Sequence, residues 1–544
     1  MKKLLFLLIV AVLALSWGGC KKFLDTKPTD TLTPEEYYGS ESKLTAALAG
    51  VYDPLGNEIG MYGSSMVTQF DFSDETWAGF ANTTTGMEVY NFNFAAPQIT
   101  ELWRNCYTGI DRANRLIANI NVASMDNTAR EAILGEALFL RGFYYFTLVT
   151  RFGAVPMRLE PISSPADAQL PRTPLAEIYA QILIDMKAAE TKVAPMYATA
   201  SRVYKTVVQG MLARVCLHMA GYPLNDQSKY AEALDWAKKV KSSNQHTLNM
   251  SIDPKYINFD PVFSKTSPYS QIFINHAQDL YDVKESMWEV EFKGNRADGF
   301  NENGRIGNNI GIVFQPGAGT ALEKDSGFCW GLVKATGVLY DLYGTTDTLR
   351  RDWAIGNHSI NNTTGIKTLL PATNRHGRFP GKWRRSFELV TPKNKNYTPT
   401  NFPLLRYADV LLMLAEAENQ VNGPTAEAYE ALNMVRRRAF NVPLSAPNVN
   451  ADAPAGLNKA SFQQFIEDER ARELCFESLR RLDLIRWNKF VTRMKEVSAD
   501  FTANGGGNSY GSLAGRNVEQ RHLLFPIPAS EILLNKNLTQ NPGW

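Results

Sequence analysis

The fold of this chain is constrained most by two blocks of helical periodicity. A long stretch without such periodicity separates them. In the first block, apolar residues recur at spacings of three and four, beginning with Leu102, Cys106, Ile110, Ala113, Ile117 and Ile120. This spacing places them on one face of an α-helix. Comparable series continue to residue 241 and reappear near residue 402, with short connections between them. Helices in such succession predict antiparallel hairpins packed side by side.

A further helix is predicted near the N-terminus, because the chain there combines the usual helix-start signals. Thr33 can cap the helix with its hydroxyl, Pro34 occupies the first position, and Glu36 follows three residues after the cap. The fold is therefore predicted to be mostly α-helical, with helix pairs that resemble tetratricopeptide hairpins, although no clean repeat of about 34 residues is present. The segments predicted to form this helical scaffold are mainly 34–51, 100–241 and 402–490.

The last predicted helix of the scaffold, residues 461–487, is rich in charge. Asp468 lies four residues before Arg472, and Glu477 lies four residues before Arg481. This order favours ion pairs along one helix. We therefore interpret its carboxylates as structural, and not as the two acids that a glycosidase places on either side of the scissile bond.

The middle of the chain has a different character. Gly, Asn, Thr and Pro are frequent there, and only residues 287–292 alternate like a β-strand. Long irregular segments held by a rigid scaffold often carry binding residues. We predict an irregular, short-stranded ligand-binding half, mainly 53–98 and 245–400, which together with the scaffold forms one domain over residues 20–544.

Charge and motifs exclude several function classes. The chain has 57 basic and 55 acidic residues, whereas a dedicated nucleic-acid binder would show a basic excess. It lacks the phosphate-binding, nucleophile-elbow, HExxH and paired CxxC motifs, and its six histidines are scattered. We therefore predict no nucleic-acid partner, no metal, no cofactor and no catalytic residue.

The N-terminus resembles an export signal. Two lysines precede an apolar run, Leu4–Leu15, that is shorter than the roughly 20 residues a spanning helix needs. Small residues then precede Cys20, a pattern typical of lipoprotein processing. We predict a signal peptide over residues 1–19 and a lipid-anchored chain whose first residue is an acylated Cys20, for example with palmitate. The alternative is conventional secretory cleavage next to an incidental cysteine.

Several longer segments, in their order along the chain, resemble the SusD/RagB family of nutrient-binding outer-membrane lipoproteins of the Bacteroidetes. Among them are GEALFLRGFYYFTLVTRFGAVP at 135–156, ESMWEVEF at 285–292, ERARELCFESLRRLDLIRW at 469–487 and LLFPIPASEILLNKNLTQNPGW at 523–544. The resemblance implies a mostly α-helical fold with four tetratricopeptide-like helix pairs and an irregular ligand-binding half.

The resemblance also implies a function at the cell surface. The expected protein captures an oligosaccharide or polysaccharide and delivers it, without cleaving it, to a TonB-dependent outer-membrane transporter that resembles SusC. Three alternatives stay open: a peptide or other nutrient as cargo, a helical scaffold lipoprotein, and a glycoside hydrolase.

Sugar binding requires flat aromatic rings for the apolar face of a pyranose and polar groups for its hydroxyls. Two tryptophans lie in predicted loops beside small or polar residues, in the regions from which the family builds its ligand platform. The predicted ligand-binding residues are Trp77, Asp74, Asn82, Phe300 and Trp330. The competing interpretation of Trp77 and Trp330 is that they are buried loop anchors.

Overall fold

The computed structural model describes Lys3 and residues 33–79, 84–164, 167, 169–292 and 304–544. The predicted signal peptide and Cys20 therefore lie outside the described residues. Within the described residues, the first helices confirm the predicted start signal. The Thr33 hydroxyl accepts a hydrogen bond from the Glu36 backbone nitrogen at 3.2 Å, and the Glu36 carboxylate accepts one from the Thr33 nitrogen at 2.8 Å.

Helices account for most of the regular structure, as predicted. Those of the N-terminal block are α1 (Pro34–Tyr38), α2 (Glu41–Tyr52), α3 (Pro97–Ala118), α4 (Asn127–Phe152), α5 (Leu175–Glu190), α6 (Lys205–Ala220) and α7 (Lys229–Ser242). Those of the middle are α8 (Pro268–Ala277), α9 (Ala321–Ser326), α10 (Gly337–Leu342) and α11 (Thr348–Ala354). Those of the C-terminal block are α12 (Tyr407–Asn422), α13 (Ala426–Ala439), α14 (Lys459–Leu474), α15 (Arg480–Arg486), α16 (Phe490–Ala503), α17 (Tyr510–Asn517) and α18 (Ala529–Leu534).

The two helical blocks form one continuous array. Each helix from α2 to α7 packs on the next along the chain, and α7 then packs on α12, which begins the C-terminal block. A single hydrophobic core runs through both blocks. Of the helices in the described residues, α4 alone is long and apolar enough to cross a membrane, but it is mostly buried among its neighbours, which is the position of a core helix.

The strands of the described residues form three antiparallel pairs, all within the two segments predicted to be irregular or at their border. They are β1 (Thr76–Ala78) with β3 (Val333–Ala335), β2 (Ser286–Val290) with β6 (Phe402–Arg406), and β4 (His358–Ile360) with β5 (Lys367–Leu369). The predicted strand at 287–292 is thus present as β2. The prediction of helix from residue 402 is wrong for β6, because these residues pair with β2 instead and are buried along their whole length.

The charged helix predicted over 461–487 is interrupted. It ends as α14 and restarts as α15, and between the two Phe476 and Ser478 adopt left-handed backbone conformations, with φ of 66° and 60°. The two ion pairs predicted along the helix are also wrong. Glu477 pairs with Arg406 at 2.8 Å and Arg472 pairs with Glu469 at 2.8 Å. Arg472 thus keeps a partner on its own helix, three residues away, whereas Glu477 takes one from β6 because most of this charged surface is buried.

Candidate functional site

The β1–β3 ladder brings together the two loops that carry Trp77 and Trp330. Trp77 pairs with Lys334 across the ladder. One residue pair beyond β1, the backbone nitrogen of Gly79 donates to the oxygen of Leu332 at 2.8 Å. A Cβ on Gly79 would lie 2.7 Å from the oxygen of Gly331, so only glycine lets the two backbones approach this closely. Trp330 directly precedes Gly331 and therefore lies at the same edge.

Trp77 is held by its polar edge. Its indole nitrogen lies 3.1 Å from the backbone oxygens of Ala335 and His376, and its ring meets Phe501 edge to face at a centroid distance of 5.3 Å. Trp77 as a whole is nevertheless only half-buried. Its indole edge is an anchor, as the competing interpretation holds, and contact of the ring with a ligand stays a prediction.

Lys334 connects Trp77 to a second aromatic ring, that of Phe379. Its ammonium lies 4.9 Å from the Trp77 ring centroid and 5.2 Å from the Phe379 ring centroid. Gly331 has φ of +63°, and a Cβ there would lie 2.7 Å from the Phe379 ring. Glycine at this position therefore allows Phe379 to pack directly beside the backbone next to Trp330.

Trp330 forms the other end of the group. Its ring meets Phe328 edge to face at a centroid distance of 4.7 Å, and the ammonium of Lys395 lies 5.9 Å from its ring centroid. Its backbone nitrogen donates to the oxygen of Asn308 at 2.7 Å, while the ring is half-buried. We define the aromatic strip as two contact groups that adjoin at Gly331. Trp77, Lys334 and Phe379 form one group, and Trp330, Phe328 and Lys395 form the other.

Four members of the aromatic strip were not found from the sequence. Phe328 lies two residues before Trp330, so the local motif contains it. Lys334 joins the strip through the β1–β3 register, Phe379 through the packing at Gly331 and Lys395 through its contact with Trp330, and the sequence carries no local signal for any of these contacts. Of the predicted site residues, Asn82 and Phe300 lie outside the described residues.

The structure corrects the prediction that Asp74 contacts a ligand. Its two carboxylate oxygens accept hydrogen bonds from the Arg480 guanidinium at 2.8 Å each, and Arg493 adds a third at 3.1 Å. Burial opposes ionisation, but these arginines outweigh it and hold the pKa of Asp74 below its usual value. Because the residue is only 2% exposed, it fixes the β1 loop to α15 and offers no polar group to a bound sugar.

The neighbouring Glu75 has a different environment. One carboxylate oxygen accepts a hydrogen bond from the backbone nitrogen of Phe476 at 2.9 Å, which holds the break between α14 and α15. The other oxygen is buried without a hydrogen-bond partner among the described residues. Burial raises the pKa of Glu75 from 4.5 to about 8. The carboxyl is therefore protonated in the folded protein at neutral pH.

This environment predicts that Glu75→Gln stabilises the protein at neutral and alkaline pH. Between about pH 4.5 and 8 the folded wild type holds a proton that the unfolded chain has lost, so its stability falls as the pH rises through this window. Glutamine keeps the acceptor for Phe476 and does not titrate. As the pH rises through this window, the unfolding free energy of Glu75→Gln should gain on that of the wild type by roughly 1.4 kcal/mol per pH unit.

Urea unfolding at pH 5, 6.5 and 8 measures this difference. Glu35→Gln, which changes an exposed carboxyl on α1, is the control and should follow the wild type at each pH. Parallel stability curves for wild type and Glu75→Gln would show that Glu75 is ionised in the folded state.

No group of three or more His, Cys, Asp and Glu side chains that could hold a metal ion occurs in the part of the chain that the structure describes. The four cysteines in this part are free and buried. Burial raises the pKa of each of these thiols to about 12 or above, which leaves them unreactive at neutral pH.

Known protein families match this chain in its N-terminal part and in its C-terminal part. Residues 22–217 match the family described as "Starch-binding associating with outer membrane", and residues 356–544 match the SusD family. The chain belongs to the SusD family. This assignment agrees with the resemblance of the sequence segments, and it places the protein among SusD-like proteins associated with the outer membrane.

Three relatives of the SusD family match over nearly the whole chain. SusD-like protein P25 of Formosa agariphila is 24% identical over 98% of both chains. The starch-binding protein SusD of Bacteroides thetaiotaomicron is 24% identical over 100% of this chain and 99% of its own. The crystal structure of a SusD homolog from Bacteroides thetaiotaomicron superposes with a TM-score of 0.83 at 27% identity, covering 94% of this chain and 98% of that one. The predicted SusD-like fold is thereby confirmed.

Proposed function

We propose that this protein captures a glycan on the aromatic strip at the cell surface and delivers it intact to a TonB-dependent transporter that resembles SusC. The observation that carries the proposal is the strip itself. Trp77, Phe379 and Trp330 are half-buried aromatic residues, and the ammonium groups of Lys334 and Lys395 lie 4.9–5.9 Å from their ring centroids. The family description as starch-binding supports a carbohydrate ligand for this surface.

The strip has the two kinds of group that a sugar requires. The accessible ring faces can cover the C–H face of a pyranose, and each such contact contributes about 1–2 kcal/mol by area. Lys395 and the exposed amide of Gln315, which donates to the Trp330 oxygen at 3.3 Å, are placed to meet hydroxyls at the rim. A few contacts of this size give roughly micromolar to millimolar affinity, which suits a cargo that must be released.

The two carboxyl groups closest in sequence to Trp77 support binding without cleavage. Glycoside hydrolysis needs two carboxyls that face the scissile bond from either side. Asp74 is buried in ion pairs with Arg480 and Arg493, and Glu75 is buried against Phe476. Neither group faces the ligand surface, so we propose a binding protein and not a hydrolase.

Attachment to the membrane is proposed through the N-terminus. In this proposal, the signal peptide over residues 1–19 is removed and the lipid on Cys20 anchors the mature chain at the outer membrane. The description of the matching family as associating with the outer membrane supports this location.

A binding screen of the soluble mature chain, from Lys21 onward, tests the proposed function. Polysaccharides, their oligosaccharides and peptides are presented in parallel, and bound material is recovered and sized by chromatography. We expect binding of at least one glycan and recovery of that glycan at its original length. Shortened oligosaccharides would identify a hydrolase, and binding of peptides alone would replace the glycan with a peptide cargo.

A further inference from the structure

The helical array contains a cavity that shares no residue with the aromatic strip. It has a volume of about 290 Å³ and lies between the C-terminal ends of α4 and α6, the start of α5, the helix α15 and the C-terminal segment. Its walls are largely apolar, and the residues that form them include Val149, Leu482, Ile485 and Leu523. An apolar cavity of about 150 Å³ accommodates benzene, so this space suits a larger single ring with a short substituent.

Two buried polar side chains face this cavity without a partner. Tyr179 is 3% exposed and His218 is 8% exposed, and both line the cavity. Neither the Tyr179 hydroxyl nor an imidazole nitrogen of His218 forms a hydrogen bond within the described residues, and these atoms are not fully enclosed by protein. Buried polar groups are normally paired, and an unpaired one costs about 1–3 kcal/mol.

Other polar groups at the cavity are already engaged. The Thr150 hydroxyl donates to the oxygen of Phe146 at 2.8 Å, and the Asn541 amide donates to the oxygens of Phe152 and Phe525 at 2.9 Å and 2.7 Å. Tyr222, Gln520 and Arg521 also line the cavity, but they are more exposed, so the buried groups that need a partner inside it are Tyr179 and His218.

The charge around the cavity favours an uncharged occupant. Burial, and then the nearby Arg486, lower the pKa of His218 well below its usual value, so the imidazole is neutral. Arg486 itself is paired with Glu416 at 2.5 Å. Arg521 also lines the cavity, and it is paired with Glu519 at 3.1 Å. The buried polar groups that face the cavity, Tyr179 and His218, are thus neutral, and placing an ion against its apolar walls would carry a large desolvation cost.

The geometry points to a binding site for a small uncharged molecule with an aromatic body and one hydroxyl, which enters between α5, α15 and the C-terminal segment and hydrogen-bonds to Tyr179 and His218. The apolar walls enclose the ring, and the hydroxyl can both donate to and accept from the two side chains. This site is separate from the proposed glycan surface and does not depend on it.

Calorimetric titration of the mature chain with 4-ethylphenol and with ethylbenzene tests this site. The two probes have similar apolar bodies, and only the first has a hydroxyl. We expect the wild type to bind 4-ethylphenol and to prefer it over ethylbenzene by at least fivefold. Tyr179→Phe removes one hydroxyl from the cavity without changing the ring, and it should reduce this preference to about twofold or less. His218→Leu should do the same.

Tyr144→Phe is the matched control, because its hydroxyl donates to the oxygen of Val51 at 2.7 Å and does not line the cavity. It should retain the wild-type preference. Thermal melts of each variant confirm that it is folded before the titration. The proposal is overturned if the wild type binds neither probe, if it binds both equally, or if folded Tyr179→Phe and His218→Leu keep the wild-type preference.

Discussion

Trp330→Ala should weaken binding of the glycan by about 5- to 30-fold and leave the stability of the fold nearly unchanged. A ring that covers one sugar contributes about 1–2 kcal/mol by area, and each 1.4 kcal/mol corresponds to a factor of ten. Trp330 is half-buried, and within the described residues its hydrogen bonds involve only its backbone: its nitrogen donates to Asn308 and its oxygen accepts from Gln315. The alanine variant can keep both.

Trp77→Ala should reduce both affinity and stability. Its indole nitrogen is bonded to Ala335 and His376 and its ring packs on Phe501, so its removal also opens a gap in the fold. A loss of affinity alone in Trp330→Ala would identify Trp330 as a ligand contact. A loss of both affinity and stability in Trp77→Ala would show that Trp77 contacts the ligand and also anchors the fold.

Calorimetry with a glycan identified in the binding screen measures the affinities, and urea unfolding measures the stabilities. Tyr37→Ala is the control, because this aromatic residue is 48% exposed but belongs to α1 and not to the strip. It should bind like the wild type. Unchanged affinity in both tryptophan variants would remove the ligand site from the aromatic strip, although the family assignment would stand.

Glu473→Ala should lower the unfolding free energy by about 3–5 kcal/mol, the cost of breaking a buried ion pair by removing one partner. Glu473 is fully buried. Its carboxylate accepts hydrogen bonds from Arg350 at 3.0 Å, Arg406 at 3.0 Å and Arg438 at 2.5 Å. Without it, three buried guanidinium groups share fewer negative charges in a region closed to water.

Asp468→Ala is the matched control on the same helix. The Asp468 carboxylate accepts a hydrogen bond only from the exposed Gln464 at 2.9 Å among the described residues, so its loss should change stability by no more than about 0.5 kcal/mol. Equilibrium unfolding in urea compares the two variants. A loss below about 1 kcal/mol for Glu473→Ala would show that water reaches these arginines in the folded protein.

The segment that contains Glu473 and Asp468 shows how far a sequence can predict electrostatics. Periodicity correctly identified a charged structural helix, but it paired Asp468 with Arg472 and Glu477 with Arg481. In the structure Glu477 instead contacts Arg406, on β6, and Lys382. Spacing along one helix reports only neighbours three or four residues away, whereas a buried charge takes the partner that tertiary packing brings to it.

The candidate site also contains some residues that the sequence could identify and others that only the structure could. Trp77 and Trp330 could be selected from sequence, because an aromatic residue in a polar or glycine-rich loop is a local pattern. The inclusion of Phe379 and Lys395 depends on packing at Gly331 and around Trp330, and the exclusion of Asp74 depends on Arg480, which is distant along the chain. The polar composition of the loop predicted that Asp74 is accessible to a ligand, but the residue is buried and cannot contact one.

By itself, the amino-acid sequence determined where helices form and how the first of them begins, because capping and periodicity act over a few neighbouring residues. It also determined the family, because family segments recur in order along the chain. Only the tertiary structure decided that β6 pairs with β2, that the charged helix breaks at Phe476, and which side chains share the aromatic strip. These features arise from contacts between residues far apart in the chain, and the free energy of such contacts depends on burial and on register that no local pattern contains.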